Sequence, residues 1–156
     1  MKVTAMQEYG LRCMLQLTGH GFETPLTVRE IAARERLTPV YVEKLLVVLR
    51  RAGLVKSLRG VHGGYVLSRP AKALSVAEVL GALGQVDLGH DMCGRFTGAA
   101  KKCVHTADCG LRPMWGNLTR FIYGFLSRLT LEQLSRHEGD VGRAVAHLFG
   151  GKASAA

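Results

Sequence analysis

TPVYVEKLLVVLRRAGLVKSLRGVHGGYVL, residues 38 to 67, decides the fold. Thr38 is a good N-cap, and Pro39 follows at the first helical position, where a missing N–H is harmless. Val42, Leu45, Leu46 and Leu49 then recur at intervals of three, one and three, the stripe of a helix with one buried face. Gly53 suits the left-handed position just past that helix, with Leu54 able to fold back on Leu49 in a Schellman stop. VKSLRG and YVLSR are short β-like runs, and VHGG between them supplies a turn.

Upstream, Thr27 and Glu30 form a capping box at the start of VREIAARER, with Val28, Ile31 and Ala32 facing inward and Leu37 expected to turn the chain. Two helices joined by a tight turn could be a plain helical hairpin. The basic hairpin directly after the second helix favours a winged helix–turn–helix. A preceding helix is expected from Ala5 to Thr18, opened by Thr4 and Gln7, with Met6, Tyr9, Cys13 and Leu17 inward. Cys13 on that face reads as a small core residue. Glu8 and Arg12, four apart on another face, read as an exposed ion pair. HGFETP breaks the pattern.

After the hairpin, Ser75 and Glu78 open SVAEVLGAL, and from Gly84 to Gly110 periodicity vanishes. A long helix is expected from Leu111 to Leu129, with Thr130 and Gln133 capping a last short one. The expected organisation is a winged domain over 1–84, a cysteine-bearing loop over 85–110, a dimerisation helix with its short successor over 111–138 and a tail over 139–156. The fold class is mainly α with a small β-hairpin wing.

Charge agrees with a polyanion partner. Between Thr24 and Leu74 ten Lys or Arg face three acids, so this segment carries +7 of the chain's +9. Thr38, Tyr41, Glu43 and Lys44 stand at the start of the second helix, and Arg59 at the tip of the hairpin. Gly63 and Gly64 let the backbone approach closely, toward DNA or within an ordinary turn.

The long helix carries Leu111, Met114, Leu118, Ile122, Phe125 and Leu129 at intervals of three and four, widened by Trp115 and Phe121. A small domain offers little to cover so large a stripe, so it is expected to pack against a second copy. Although 47% of residues are apolar, no run approaches the roughly 20 needed to span a bilayer. MKVTAMQEYG lacks a secretory signal's apolar stretch. The chain is therefore expected in the cytoplasm, with no membrane partner and with reduced thiols.

Three of the four cysteines, Cys93, Cys103 and Cys109, follow a C-x9-C-x5-C spacing. Thiolates ligate iron–sulfur clusters and structural zinc, but zinc sites favour paired C-x2-4-C knuckles, which are absent. A cluster, zinc and free redox-active thiols all remain open on the residues alone. His105 could supply a further ligand. His90, Asp91 and Asp108 read as polar loop residues, while Arg95, Lys101 and Lys102 could offset a cluster's charge. No Ser-His or Cys-His arrangement tied to a pocket motif, no P-loop and no nucleotide fingerprint is present, so an enzyme is not expected.

The order of elements, Y-x-E-x-L followed by G-L-V-x-S-x-R-G-x-x-G-G-Y, and the later cysteines resemble the Rrf-two family of bacterial winged helix–turn–helix transcription regulators, in particular its IscR-, NsrR- and RirA-like iron–sulfur members. The resemblance covers residues 1 to 135. It implies a homodimer paired through the long helix on a two-fold operator of double-stranded DNA. It also implies an iron–sulfur cluster on Cys93, Cys103 and Cys109, with four irons favoured over two, that tunes operator affinity in response to nitric oxide, iron or redox state. Glu8 of the partner subunit matches the family's carboxylate ligand, with His105 as the alternative. Thr38, Tyr41, Glu43 and Lys44 match the start of its reading helix, where hydroxyls and Lys44 suit phosphates, Glu43 can accept from a cytosine amino group and Tyr41 could equally be packing. Arg59 matches its wing arginine, suited to a narrow minor groove. Arg112 stands where one branch carries a ligating histidine, and Pro39 and Val40 replace polar residues of some relatives. The expected function is a sequence-specific repressor. The alternative is a regulator of the same fold that senses through cysteine oxidation or a small metabolite.

Overall fold

Four helices of this chain begin where a hydroxyl and an acid or amide three residues on satisfy each other's backbone N–H groups. The computed structural model describes residues 3–60, 62–84, 94, 96–99, 101–105 and 107–150. In chain order its main elements are α1 (Ala5–His20), α2 (Val28–Glu35), α3 (Pro39–Arg51), β1 (Val55–Leu58), β2 (Gly64–Leu67), α4 (Val76–Leu83), α5 (Leu111–Arg128), α6 (Leu131–Leu134) and α7 (Glu138–Gly150). Complete capping boxes open α1 at Thr4/Gln7, α2 at Thr27/Glu30, α4 at Ser75/Glu78 and α6 at Thr130/Gln133.

Helix α1 runs two residues past the expected Thr18, to His20. Helix α2 stops at Glu35 because Arg36 adopts the left-handed conformation, φ 54°. The Arg36 and Leu37 N–H groups then return to the carbonyls of Ala33 and Ala32. Arg36, rather than Leu37, turns the chain. Helix α3 ends as its sequence predicts. Gly53 sits at φ 72°, and the Leu54 and Gly53 N–H groups donate at 3.0 Å to the carbonyls of Leu49 and Arg50, which is the Schellman pattern.

The wing pairs β1 with β2 antiparallel, Val55 opposite Leu67 and Leu58 opposite Gly64. Leu26 and Tyr65 exchange two further backbone bonds of 3.0 and 2.8 Å. Leu26, just past the segment read as a break, thus adds an isolated bridge to the edge of the hairpin. A Cβ on Gly64 would lie 2.6 Å from the Leu26 carbonyl oxygen, and one on Gly63 2.5 Å from that of Leu58. The backbone that these glycines admit is the protein's own.

The core joins Cys13, Met14 and Leu17 of α1 to Ile31 of α2, Leu45, Leu46 and Leu49 of α3, and Val79 and Leu83 of α4. A backbone strap closes the far side: Val76 donates to Leu129 at 2.8 Å and Leu131 to Leu74 at 3.0 Å. It ties the end of α5 to the start of α4. The segment assigned to a tail over 139–156 carries α7, from Glu138 to Gly150. Its half-buried Val141, Ala144, Val145 and Leu148 lie on one face, and the helix packs on α6. Gly139 and Gly142 lower its intrinsic propensity, so that packing is what sustains it. Among the described residues no helix is long and apolar enough to cross a membrane.

Candidate nucleic-acid interface and cysteine loop

Helix α3 buries Val42, Leu45, Leu46 and Leu49, which turns Pro39, Val40, Glu43 and Lys44 outward, all exposed. Thr38 is exposed too, but its Oγ1 accepts the Tyr41 N–H at 3.4 Å as the helix cap. At the other end Arg50 Nη1 donates to Ser57 Oγ at 3.4 Å, joining α3 to the wing. Arg59 is exposed at the hairpin tip. Arg29, Arg34 and Arg36 around α2, Arg51 on α3 and Lys56 on β1 are also exposed. Exposed cations thus surround both helices of the motif and the wing.

Tyr41 is half-buried, its ring edge-on to Tyr9 of α1 with centroids 6.1 Å apart and planes at 85°. The Arg12 guanidinium carbon lies 5.4 Å from the Tyr9 ring centre. Arg12 does not turn to Glu8, as its spacing predicted, but to Glu35 of α2, with Nη2 and Nε each 2.6 Å from Oε2. Gln16 Nε2 completes the carboxylate, 2.5 Å from Oε1. Helix α1 therefore grips α2 through Glu35 and α3 through Tyr41. Sequence reasoning missed Glu35 and Gln16. The available signal was an acid in the last turn of a helix, where the helix dipole disfavours it and a cationic partner is needed. Cys13 lies in this region fully buried. Burial first, then the Glu35 charge, push its thiol up to about 12 against the opposing effect of Arg12. It is a protonated core group, as its position on the apolar face predicts.

Cys103 and Cys109 are half-buried and free of disulfides, whereas Cys93 lies outside the described residues, as do His90, Asp91 and Arg95. Lys101, Lys102, His105 and Asp108 are exposed. Arg112 closes the loop on the start of α5, its Nη2 donating to the His105 carbonyl at 3.1 Å and its N–H to that of Cys109 at 3.3 Å. Glu8 is exposed on α1 at the edge of an apolar groove that also involves Leu11, Leu80, Ile122 and Leu126. The groove brings Glu8 beside α5. Among the described residues no three His, Cys, Asp or Glu side chains converge. Two free soft thiols at the foot of α5 are donors that fit iron or an iron–sulfur cluster.

The expected dimer residues divide. Leu111 is 60% exposed, and Met114 and Leu118 are exposed on the same face as Phe121, itself 60% exposed. Ile122 and Phe125 are half-buried. Leu129 is buried in its own subunit, drawn in by the strap to Val76.

Comparison with known proteins agrees with this architecture. A family model described as "Rrf2: Iron-dependent Transcriptional regulator" matches residues 3–137. Protein rrf2 of Nitratidesulfovibrio vulgaris is 35% identical, over 87% of this chain and 88% of that protein. The HTH-type transcriptional regulator IscR of Photobacterium profundum is 35% identical, over 87% of this chain and 76% of that protein. Among solved structures, IscR of T. potens aligns with TM-score 0.66 and 29% identity, covering 92% of this chain and 88% of that one. CymR of B. subtilis, the global cysteine regulator, aligns with TM-score 0.69 and 29% identity, covering 86% and 96%. These relatives are transcriptional regulators and not enzymes. The chain belongs to the Rrf2 family of winged helix–turn–helix transcription regulators.

Proposed function

We propose that this regulator is a cytoplasmic homodimeric repressor that binds a two-fold operator in double-stranded DNA, with an affinity set by an iron–sulfur cluster. Cys93, Cys103 and Cys109 would hold the cluster with Glu8 of the partner subunit, four irons being favoured over two and His105 being the alternative ligand. The observation that carries this reading is the C-x9-C-x5-C spacing directly before α5, in a family described as iron-dependent. A bound cluster would supply a centre that reacts with nitric oxide, responds to iron supply or changes redox state.

The chain's own residues convert that into DNA affinity. Glu8 is on the same helix as Tyr9, Arg12 and Gln16, which hold Tyr41 and Glu35. A restraint on Glu8 thus restrains α1, and through it both helices of the reading head. On the DNA side, Lys44 and Arg59 neutralise phosphates or enter a groove, Thr38 and Tyr41 shape the start of α3, and Glu43 meets a base amino group. Gly63 and Gly64 set the wing's turn. Release of Glu8 lets the two heads of the dimer change spacing. Operator affinity then shifts by the difference with which the two arrangements bind.

A second reading, sensing by thiol oxidation, is favoured by free Cys103 and Cys109 and by the likeness to the cysteine regulator CymR. Anaerobic purification separates the two. Visible spectra with iron and acid-labile sulfide counted per chain should show a brown wild type with matched iron and sulfide. Cys93→Ala, Cys103→Ala and Cys109→Ala should each lose iron. Full retention in all three would overturn the cluster. A colourless wild type that also resists reconstitution would transfer the case to the thiols.

A further inference from the structure

Val40 is 78% exposed in the first turn of α3, a position from which a side chain can gain nothing by packing. A β-branched residue there is also a poorer helix former than alanine, glutamate or lysine. It shares a face with Glu43 and Lys44, three and four residues on. All three stand on the second helix of the motif, whose first residues meet base edges in this class of fold. The hydroxyl of neighbouring Thr38 is occupied in capping the helix, so Pro39 and Val40 are the outward side chains of that turn with no hydrogen-bonding group, and of the two only Val40 stands three and four residues from Glu43 and Lys44.

A valine can neither donate to a base nor accept from one. In the major groove the base-edge group that favours an apolar side chain is the C5-methyl of thymine. The rigid χ1 of valine means that little freedom is lost on contact. Side chains three apart on a helix lie about 5–6 Å from each other, close enough to the ~3.4 Å rise per base to reach neighbouring base pairs. From this we infer that Val40 is a specificity-determining residue that reads a thymine methyl in each half-site, beside the base pair read by Glu43. The inference rests on the DNA-binding reading above and deepens it to one base.

The test uses the anaerobically purified full-length chain. Selection from a random duplex library gives the operator, and each thymine of the half-site is then replaced singly by deoxyuridine, which removes only the methyl group. One replacement per half-site should weaken binding about fourfold, the worth of one buried methyl. Val40→Ala, a change at an exposed site, should bind the thymine and uracil operators within twofold of each other. Three results would overturn the assignment: a selected half-site without thymine, uniform tolerance of uracil, or undiminished discrimination in Val40→Ala. Failure of the library to enrich any sequence would instead overturn the DNA-binding reading itself, and this inference with it.

Discussion

A carboxylate in the last turn of a helix meets the negative end of the helix dipole, and Glu35 does so while only 8% exposed. Such a charge persists only where donors replace its water, and Arg12 and Gln16 supply them. The two partners of the ion pair are unequal, since the Arg12 side chain is 42% exposed and that of Glu35 only 7%. Removing the arginine strands a buried charge, whereas neutralising the acid leaves a guanidinium that water can reach. Arg12→Ala should therefore cost about 3 kcal/mol in urea unfolding and Glu35→Gln about 1 kcal/mol. The reverse order would contradict this account of the cluster. The pair was not legible in the sequence because i,i+4 spacing put Glu8 forward as the partner of Arg12. Only the crossing of α1 over α2 brings Glu35 within reach, 23 positions away. Cys13 was legible, because membership of an apolar stripe is a local property.

At the level of elements, what can be read locally agrees closely with what forms. The four capping boxes, Pro39 after Thr38, and the Gly53–Leu54 stop each lie within six residues of sequence and need no tertiary information. The Leu26–Tyr65 bridge and the Val76–Leu129 strap link distant segments, and neither was foreseen. Helix α7 was missed for a related reason, since its glycines hide a face that only packing on α6 reveals. The boxes themselves differ in chemistry: Gln7 and Gln133 close two of them with amides, Glu30 and Glu78 the other two with carboxylates. The Thr27 backbone N–H holds the Glu30 carboxyl below its usual 4.5. The Ser75 N–H does the same for Glu78, with Arg69 contributing. A carboxyl lowered on folding stabilises fully above its unfolded value and loses that contribution as pH falls through the folded one. Wild-type melting temperature should thus decline between about pH 5 and pH 3 more steeply than that of Glu30→Gln/Glu78→Gln. The amides keep the capping bond and do not titrate. Parallel declines would show that these carboxylates do not carry the acid dependence.

For the whole molecule, the long helix is divided between two tasks. Its C-terminal end belongs to its own subunit: Leu129 is buried, and Leu126 and Ile122 line the groove against α1 and α4. Its outer stripe, Leu111, Met114, Leu118 and Phe121, is open. The sequence pattern runs through both regions without a seam, which is why Leu129 was grouped with residues it does not accompany. In a two-fold pairing each side chain of the open stripe occurs twice, and each leucine taken from water is worth about 1.5–3 kcal/mol. In the proposed dimer, Leu118→Glu would forfeit two such contributions and bring two like charges toward the two-fold axis. It should leave the far-UV circular dichroism unchanged, because Leu118 contributes little to its own subunit's core. On the proposed dimer, light scattering should report a dimer for the wild type and a monomer for this variant. Operator affinity should drop by roughly a hundredfold, since each head then binds its half-site without the effective concentration that linkage provides. Leu129→Glu is the contrasting control, expected to lose secondary structure as well as mass. A Leu118→Glu protein that still weighs as a dimer would rule out the outer stripe of α5 as the pairing surface.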